Sequence, residues 1–244
     1  MKAQSGLALL LLLLSSEPAA AARKRPPTRP APSAPHRGAR PLKPEASSAD
    51  HFSRLSPKAC GAELGRFGAS VVRVRTAASG IALPVRITGP LGSVRFRTAG
   101  AKSPYGLLDC RFVLALAQFS EVLTRFDVVS VRVDNLYRPR ARLPGSRKKS
   151  QHAYGLAADI TEFELGDGSV LNVEKDWQGK IGDPVCPDKP PPSIPFNAKR
   201  LREIACATFE AGVFHHMLTP NFNRAHKNHF HFDIQRKAQR TKIE

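Results

Sequence analysis

Tyrosine and tryptophan are scarce in this sequence, which contains three and one of them in 244 residues. Proteins that bind single-stranded nucleic acid commonly stack the bases on aromatic side chains. The scarcity argues against such a stacking surface, and no motif of a nucleic-acid-binding fold is present. We therefore expect no specific nucleic-acid partner.

The sequence also lacks an apolar run long enough to span a bilayer, which takes about 20 residues. The run from Leu7 to Leu14 follows Lys2 and precedes the small residues Ala19–Ala22. This order is typical of a cleaved secretory signal. We expect residues 1–22 to be a signal peptide and the protein to be exported, to a periplasm or out of the cell. No cysteine follows the cleavage region to carry a lipid anchor.

Cysteine is limited to four residues, and none of them forms a C-x-x-C pair, which argues against a zinc site built on cysteine. In an exported protein these residues would meet an oxidising compartment, where disulfides persist. Four cysteines allow three pairings, and the sequence does not decide between them. The shorter loops favour Cys60–Cys110 and Cys186–Cys206, with buried free thiols as the alternative.

Acidic residues are outnumbered, with 20 Asp and Glu against 38 Lys and Arg and a formal net charge of +18. The first 50 residues carry +5 (8 basic, 3 acidic) and the other 194 carry +13 (30 basic, 17 acidic). The excess is therefore spread along the chain. A basic exported protein is attracted to anionic surfaces such as cell-wall polymers, lipopolysaccharide or extracellular nucleic acid, and we expect an anionic cell-wall polymer as its partner.

Composition divides the chain into segments. Residues 23–58 are rich in proline, arginine and alanine and cannot bury enough apolar surface to fold. We expect a disordered basic linker there, a domain over residues 59–236 and a basic tail over 237–244. No internal repeat is present, and we expect a monomer.

Hydrophobic periodicity predicts the elements of this domain. Apolar residues recur every three or four positions in 107–126, which predicts a helix, and a second helix is predicted from Asn197 to Gly212. A Gly-Asp-Gly sequence between 156–165 and 169–177 predicts a hairpin, and residues 182–195 form a proline-rich loop. Alternating patterns predict further strands at 70–76, 85–89, 92–98, 128–134, 213–218 and 229–234. The fold class is α+β, with a mainly antiparallel sheet and flanking helices.

The stretch SQHAYGLAAD, from Ser150 to Asp159, contains one histidine and one aspartate. His152 and Asp159 would lie about 23 Å apart on a strand and about 10 Å apart on a helix. Metal–ligand bonds are only about 2 Å long, so a shared metal requires the segment to double back. Gly155 favours such a bend because glycine tolerates a positive φ. A capping histidine with a surface aspartate is the alternative interpretation of this stretch alone.

A second stretch, AHKNHFHFDI, is predicted to be a strand with two different faces. Phe230 and Phe232 would face the core, and His229, His231 and Asp233 would face a cleft. Packing does not require two histidines on one face. The two stretches together offer two histidines and one aspartate, the three-ligand set with an open position that is typical of catalytic zinc.

These motifs resemble a known superfamily. S-x-H-x-x-G-x-A-x-D and H-x-H are similar to the motifs of zinc peptidases that include D-alanyl-D-alanine peptidases, penicillin-insensitive murein endopeptidases and the hedgehog signalling domains. Residues 59–235 more closely resemble the extensin-like C-terminal domain family of bacteria. The resemblance lies in the order of the features: a cysteine, a basic loop, this motif, a hairpin with Asp-Trp, and H-x-x-H-x-H-x-D.

The resemblance implies a hedgehog/D-Ala-D-Ala-peptidase-like zinc domain that holds one Zn²⁺. The implied metal ligands are His152, Asp159 and His231. The implied catalytic residues are His229 as the water-activating base, His226 as a second candidate and Arg138 as a substrate-binding group. Ser150 and Asp233 would support the metal ligands.

The resemblance predicts an exported zinc-dependent hydrolase that cleaves peptide bonds of peptidoglycan, as a D-Ala-type carboxypeptidase or an endopeptidase. The sequence departs from the wider class at one point, because no E-x-x-H precedes His231 to supply a glutamate base. This departure leaves a noncatalytic, zinc-stabilised cell-wall or glycan-binding module as the alternative. A basic adhesin with incidental histidines is a third hypothesis.

Overall fold

A computed structural model describes residues 47–75, 78–98, 106–188, 193–237 and 240–244, all within one compact unit. The predicted signal peptide and most of the predicted linker lie outside these residues. The helices are α1 (Ser48–Arg54), α2 (Pro57–Arg66), α3 (Cys110–Thr124), α4 (Val173–Asp176) and α5 (Phe196–Glu210), with 3₁₀ helices at Gln151–Tyr154 and Arg224–His226. No helix in the described part of the chain has the length and apolar character needed to cross a membrane.

The strands form two sheets. They are β1 (Val71–Arg73), β2 (Pro84–Ile87), β3 (Arg95–Arg97), β4 (Leu108–Asp109), β5 (Val128–Asn135), β6 (Ala157–Leu165), β7 (Val170–Asn172), β8 (His216–Leu218), β9 (Phe230–Asp233) and β10 (Lys242–Ile243). The small sheet has the order β1-β2-β4 and is antiparallel. The large sheet has the order β10-β8-β9-β6-β5-β3, and β7 pairs with β6.

The large sheet is mixed, although most of its strand pairs are antiparallel. Strands β3 and β5 are parallel, as are β10 and β8, whereas the pairs around β6 are antiparallel. The α+β class is therefore confirmed in its coarse form. The parallel pairs were not predictable, because a strand pattern does not specify its partner.

Helix α3 forms the centre of the core. It carries apolar residues on nearly its whole surface, which is the pattern of a helix enclosed by other elements. Phe119 contacts Phe232 of β9 in an edge-on arrangement with ring centroids 5.6 Å apart. Phe230 and Phe232 are fully buried, so the predicted core face of the last histidine-rich strand is confirmed.

The packed structure is longer at both ends than the predicted domain. Helix α1 begins at Ser48, within the predicted linker, because Ala49 and Phe52 supply an apolar face that is buried. In the predicted tail, β10 pairs with β8 and Lys242 N donates to His215 O at 2.8 Å. Both additions are short segments with few apolar residues, so composition alone gave little sign of them.

Three element boundaries differ from the sequence prediction. Helix α3 begins at Cys110 rather than 107, because Leu108–Asp109 pairs with β2 and Asp109 caps the helix. The strand predicted at 169–177 ends at Asn172, whose side chain caps α4. Helix α5 is preceded by Pro195 at the N-cap instead of Asn197. In the first two cases a local cap or strand pair overrides the apolar period.

Two disulfides tie the helices to their surroundings. Cys60–Cys110 joins α2 to the first residue of α3, and Cys186–Cys206 joins the proline-rich loop to α5. The pairing with the shorter loops is confirmed. No cysteine of the chain is free.

Candidate metal centre

Gly155 makes the bend that the sequence requires. It ends the 3₁₀ helix Gln151–Tyr154 with φ 62°, in the left-handed region that favours glycine. A Cβ at this position would lie 2.9 Å from the backbone nitrogen of Asp109. The chain turns there into β6, and His152 Nε2 comes to 3.0 Å from Asp159 Oδ1. The predicted doubling back is confirmed.

Strand β9 brings the third group to this pair. In its antiparallel register with β6, His231 lies opposite Asp159. His231 Nδ1 is 3.0 Å from Asp159 Oδ1 and 3.2 Å from His152 Nε2. The three atoms therefore form a nearly equilateral triangle, and the three residues could hold a metal ion.

The triangle fits a small tetrahedral cation. Zinc bonds of about 2.0–2.1 Å at a tetrahedral angle place two ligand atoms about 3.3 Å apart. The observed edges of 3.0, 3.0 and 3.2 Å are close to this spacing. Two imidazole nitrogens and one carboxylate oxygen are also a donor set that suits zinc.

Hydrogen bonds on the far side of each ligand orient its metal-facing atom. His152 Nδ1 donates to Leu136 O at 2.7 Å, and His231 Nε2 donates to Asp233 Oδ2 at 3.3 Å. Asn135 Nδ2 donates to the second oxygen of Asp159 at 3.2 Å. Partners of this kind fix the tautomer and orientation of metal ligands. His152 Nε2, His231 Nδ1 and Asp159 Oδ1 are thus left to face one point.

The side chains of the triangle shift each other's pKa values in opposite directions. Burial by itself raises the pKa of Asp159, but hydrogen bonds from His152 and His231 outweigh it and lower the pKa far below its ordinary value. Burial disfavours the His231 imidazolium, yet Asp159 and Asp233 raise the pKa of His231 to about 9. A cation in the triangle would replace the His231 proton between the same groups.

Two further histidines lie beside the triangle. His229 Nδ1 donates to Asn228 Oδ1 at 2.8 Å, and its Nε2 is 3.5 Å from Asp159 Oδ1. His226 Nδ1 donates to Asn223 Oδ1 at 2.8 Å, and the two rings are 5.1 Å apart. Burial lowers the pKa of both, that of His226 to about 4. Both rings are therefore neutral at pH 7 and offer Nε2 as an acceptor.

Arg138 and Ser150 are both linked to His152. Arg138 N donates to His152 O at 3.0 Å, and its side chain is exposed and lines the cleft beside the cluster. Its charge contributes to the lowered pKa of His229. Ser150 Oγ accepts a hydrogen bond from His152 N at 3.3 Å and caps the 3₁₀ helix. The structure thus places both residues beside His152, and their roles stay predictions.

The triangle opens onto a cleft of about 750 Å³. Asp159 and Asp233 are the only carboxylate residues among the described residues that line it, and none is a glutamate. The absence of a glutamate in the sequence motif therefore extends to the surrounding described cleft.

Three supporting residues were missed by sequence reasoning. Asn135 holds Asp159, and Gln235 Nε2 donates to Asp233 Oδ1 at 2.7 Å. His216 Nδ1 lies 3.5 Å from Asp233 Oδ2, and its hydrogen bond helps to lower the pKa of Asp233 to about 2, against the effect of burial. The contacts of Asn135 and His216 depend on which residues face each other across strands. The contact of Gln235 is local, but no recognised motif marks it.

Two other conspicuous side chains have structural roles. His215 is buried, with Nε2 3.0 Å from Asp50 Oδ1 of α1, and its Nδ1 accepts from Gln235 N at 2.9 Å. Trp177 is buried against Phe230 and donates from Nε1 to Asn221 Oδ1 at 2.8 Å. These contacts make Trp177 a packing residue of the core.

Comparison with known proteins gives one match. A family model described as "Extensin-like protein C-terminus" matches residues 58–243. This range includes all three residues of the ligand triangle, its two neighbouring histidines and Arg138. No curated protein and no solved structure matches the chain.

Proposed function

The chain belongs to the extensin-like C-terminal family, and from the geometry of its cleft we propose that it is an exported zinc-dependent hydrolase of peptidoglycan peptide bonds. The reaction would be that of a D-Ala-type carboxypeptidase or an endopeptidase, on a zinc domain like those of hedgehog and the D-Ala-D-Ala peptidases. One observation carries the proposal. Three oriented ligand atoms converge at 3.0–3.2 Å on the side of a cleft that contains two neutral imidazoles.

His152, Asp159 and His231 would hold the zinc. Three protein ligands leave a fourth position for water or substrate, as in catalytic rather than structural zinc sites. When bound, zinc supplies a Lewis acid that lowers the pKa of water toward 7 and polarises a carbonyl group. Asn135, Leu136 O and Asp233 would keep the three ligands in place.

His229 is the better placed of the two candidate bases. Its Nε2 is 3.5 Å from a ligand oxygen of Asp159, and Asn228 holds the proton on the other ring nitrogen. Nε2 can therefore accept a proton from water next to the metal position. The ring of His226 lies 5.1 Å from that of His229. His226 can therefore receive the proton that His229 has accepted and pass it to the departing amine.

Arg138 would bind the substrate. Its backbone is tied to His152, so its position relative to the metal is fixed. A guanidinium group there can form a two-pronged hydrogen bond with a peptide carboxylate or stabilise negative charge on the carbonyl oxygen.

Export and wall binding are supported by other features. Two disulfides fit an oxidising compartment, and the net charge of +18 favours an anionic polymer as partner.

The test combines metal analysis with a sacculus digest. Zinc content is measured on the purified protein, and released muropeptides are identified by mass spectrometry. His152→Ala and Asp159→Ala should each abolish stoichiometric zinc and muropeptide release. His51→Ala, which removes an exposed histidine of α1, should change neither. Full zinc content in both site variants would refute the metal centre.

A noncatalytic wall-binding module is the second candidate, and the lack of a glutamate among the described cleft residues favours it. The variant His229→Ala separates the two. A hydrolase should keep its zinc and lose most of its kcat, whereas a binding module should pellet with sacculi unchanged and release no peptide in either form.

A further inference from the structure

One wall of the metal cleft is a hairpin with a fixed shape. This segment, here called the basic hairpin (residues 138–149), connects β5 to the 3₁₀ helix that carries His152. Leu143 N donates to Lys148 O at 2.9 Å, and Arg142 Nη1 donates to Arg147 O at 2.7 Å. These bonds cross the hairpin, so its side chains are presented from a defined backbone.

The basic hairpin carries six positive charges and no acidic residue. None of the six has an acidic side chain within ion-pair distance in the described part of the chain. Four of them line the metal cleft: Arg138, Arg142, Lys148 and Lys149. On the other wall, Lys242 is paired with Glu244 at 2.7 Å. The uncompensated charge of the cleft is therefore concentrated on the hairpin.

Such a concentration of like charges repels itself and produces a positive potential inside the cleft. The carboxylates within the cleft cannot neutralise it, because Asp159 and Asp233 are already engaged by the histidines. The cleft therefore favours an anionic ligand. Its volume of about 750 Å³ is that of a small-ligand pocket, which suits a short peptide.

The cations occupy two levels along the hairpin. Arg138 lies at its base, where it is bonded to His152. Arg142 and Lys149 pair across the hairpin, and Lys148 follows toward the tip. We propose that these three outer cations bind a second carboxylate of an acidic peptide, in addition to the carboxylate or carbonyl group that Arg138 binds. That the acidic peptide is a substrate rests on the proposed hydrolase function. Its binding to the hairpin can be tested without hydrolysis.

The test measures peptide binding to the zinc-loaded, full-length protein by calorimetry at low salt. Two synthetic probes, Ala-D-Glu-Lys-D-Ala and Ala-D-Gln-Lys-D-Ala, differ by one side-chain carboxylate. The wild type should bind the glutamate peptide at least about tenfold more tightly, and the difference should shrink as salt is added. In Arg142→Gln/Lys148→Gln/Lys149→Gln, the two peptides should bind alike.

The matched control neutralises one arginine and two lysines that are exposed and do not line the cleft: Lys58→Gln/Arg95→Gln/Lys180→Gln. It should keep the tenfold preference. Because Arg142 also bonds within the hairpin, Lys148→Gln/Lys149→Gln serves as a second variant that leaves this bond intact. It should reduce the preference by at least about threefold while zinc content and thermal unfolding match the wild type.

Equal binding of both peptides by the wild type, or an unchanged preference in both hairpin variants, would overturn the inference. So would inorganic polyphosphate that binds the wild type more tightly than the glutamate peptide. A preserved preference without any hydrolysis would refute the proposed function and leave the carboxylate site standing.

Discussion

His231 and Asp233 lie two residues apart on β9, and the Nε2 of the first donates to Oδ2 of the second at 3.3 Å. This bond leaves Nδ1 of His231 to face Asp159 and His152. Asp233, which lies outside the ligand triangle, therefore determines which ring nitrogen of His231 faces the other two ligands.

We expect Asp233→Ala to weaken zinc binding by about 10- to 100-fold, the usual effect of removing a partner that orients a metal ligand. His231 would lose both its hydrogen-bond acceptor and a nearby negative charge. Competition with a chromogenic chelator measures the affinity. Asp188→Ala, which removes an exposed carboxylate, should leave it unchanged, and equal affinities for the two variants would contradict the positioning role.

Gly155→Ala should destabilise the domain by more than about 1 kcal/mol, because alanine is strained at φ 62° and its Cβ would lie 2.9 Å from Asp109 N. Gly168→Ala is the control, with φ 83° and no atom within 4 Å of the added Cβ. It carries the backbone strain alone. Urea unfolding should show the larger loss in free energy of unfolding for Gly155→Ala. A larger loss for Gly168→Ala would show that the contact between the added Cβ and Asp109 N is easily relieved.

Zinc affinity should rise with pH. The pKa of His231 is raised to about 9 in the metal-free protein, from an ordinary 6.5. Zinc must displace that proton, so affinity should increase between about pH 6.5 and 9 and then level off. Competition titrations across this range measure the slope. A flat profile over pH 7–9 would mean that His231 carries no proton in the metal-free state.

The metal-free protein should show the opposite trend. A raised pKa means that the charged form of His231 adds stability that is complete below about pH 6.5 and disappears as the pH rises through about 9. Asp233, with a pKa lowered to about 2 from 3.8, adds stability above about pH 3.8 that is lost as the pH falls through about 2. Thermal unfolding of chelator-treated protein should therefore peak between about pH 4 and 6.5.

The two disulfides should differ in their contribution to stability. They close segments with sequence separations of 50 and 20 residues. In the chain-entropy description these loops contribute about 4 and about 3 kcal/mol to the free energy of unfolding. Urea unfolding of Cys60→Ala/Cys110→Ala and Cys186→Ala/Cys206→Ala compares them directly. A smaller loss for the first pair would show that the loop length does not govern the effect.

The parts of the site that were predicted from sequence are those encoded by local chemistry. The alternation of His229 and His231 with phenylalanines follows from the two-residue period of a strand. The approach of His152 to Asp159 follows from the glycine between them. Helix α3 was predicted because its apolar period is strong, although its start was placed three residues too early.

The parts that were missed depend on contacts between distant segments. Asn135 reaches Asp159 because β5 pairs with β6 in one register, and that register is not written in either strand. His216 meets Asp233 across β8 and β9 in the same way. Gln235 is only two residues from Asp233, but no recognised motif marks that pair. Strand β10 has only two residues, so its pairing with β8 has no pattern that a sequence could reveal.

The ligand triangle joins segments that are far apart along the chain. His152 and His231 are separated by 79 residues, and Asp159 and His231 by 72. Contacts of such separation form late in folding, after the intervening chain has lost most of its freedom. The Cys186–Cys206 crosslink lies inside this span and shortens the chain that must be closed. Oxidation of that pair should therefore speed the assembly of the ligand triangle, although neither cysteine lines the cleft.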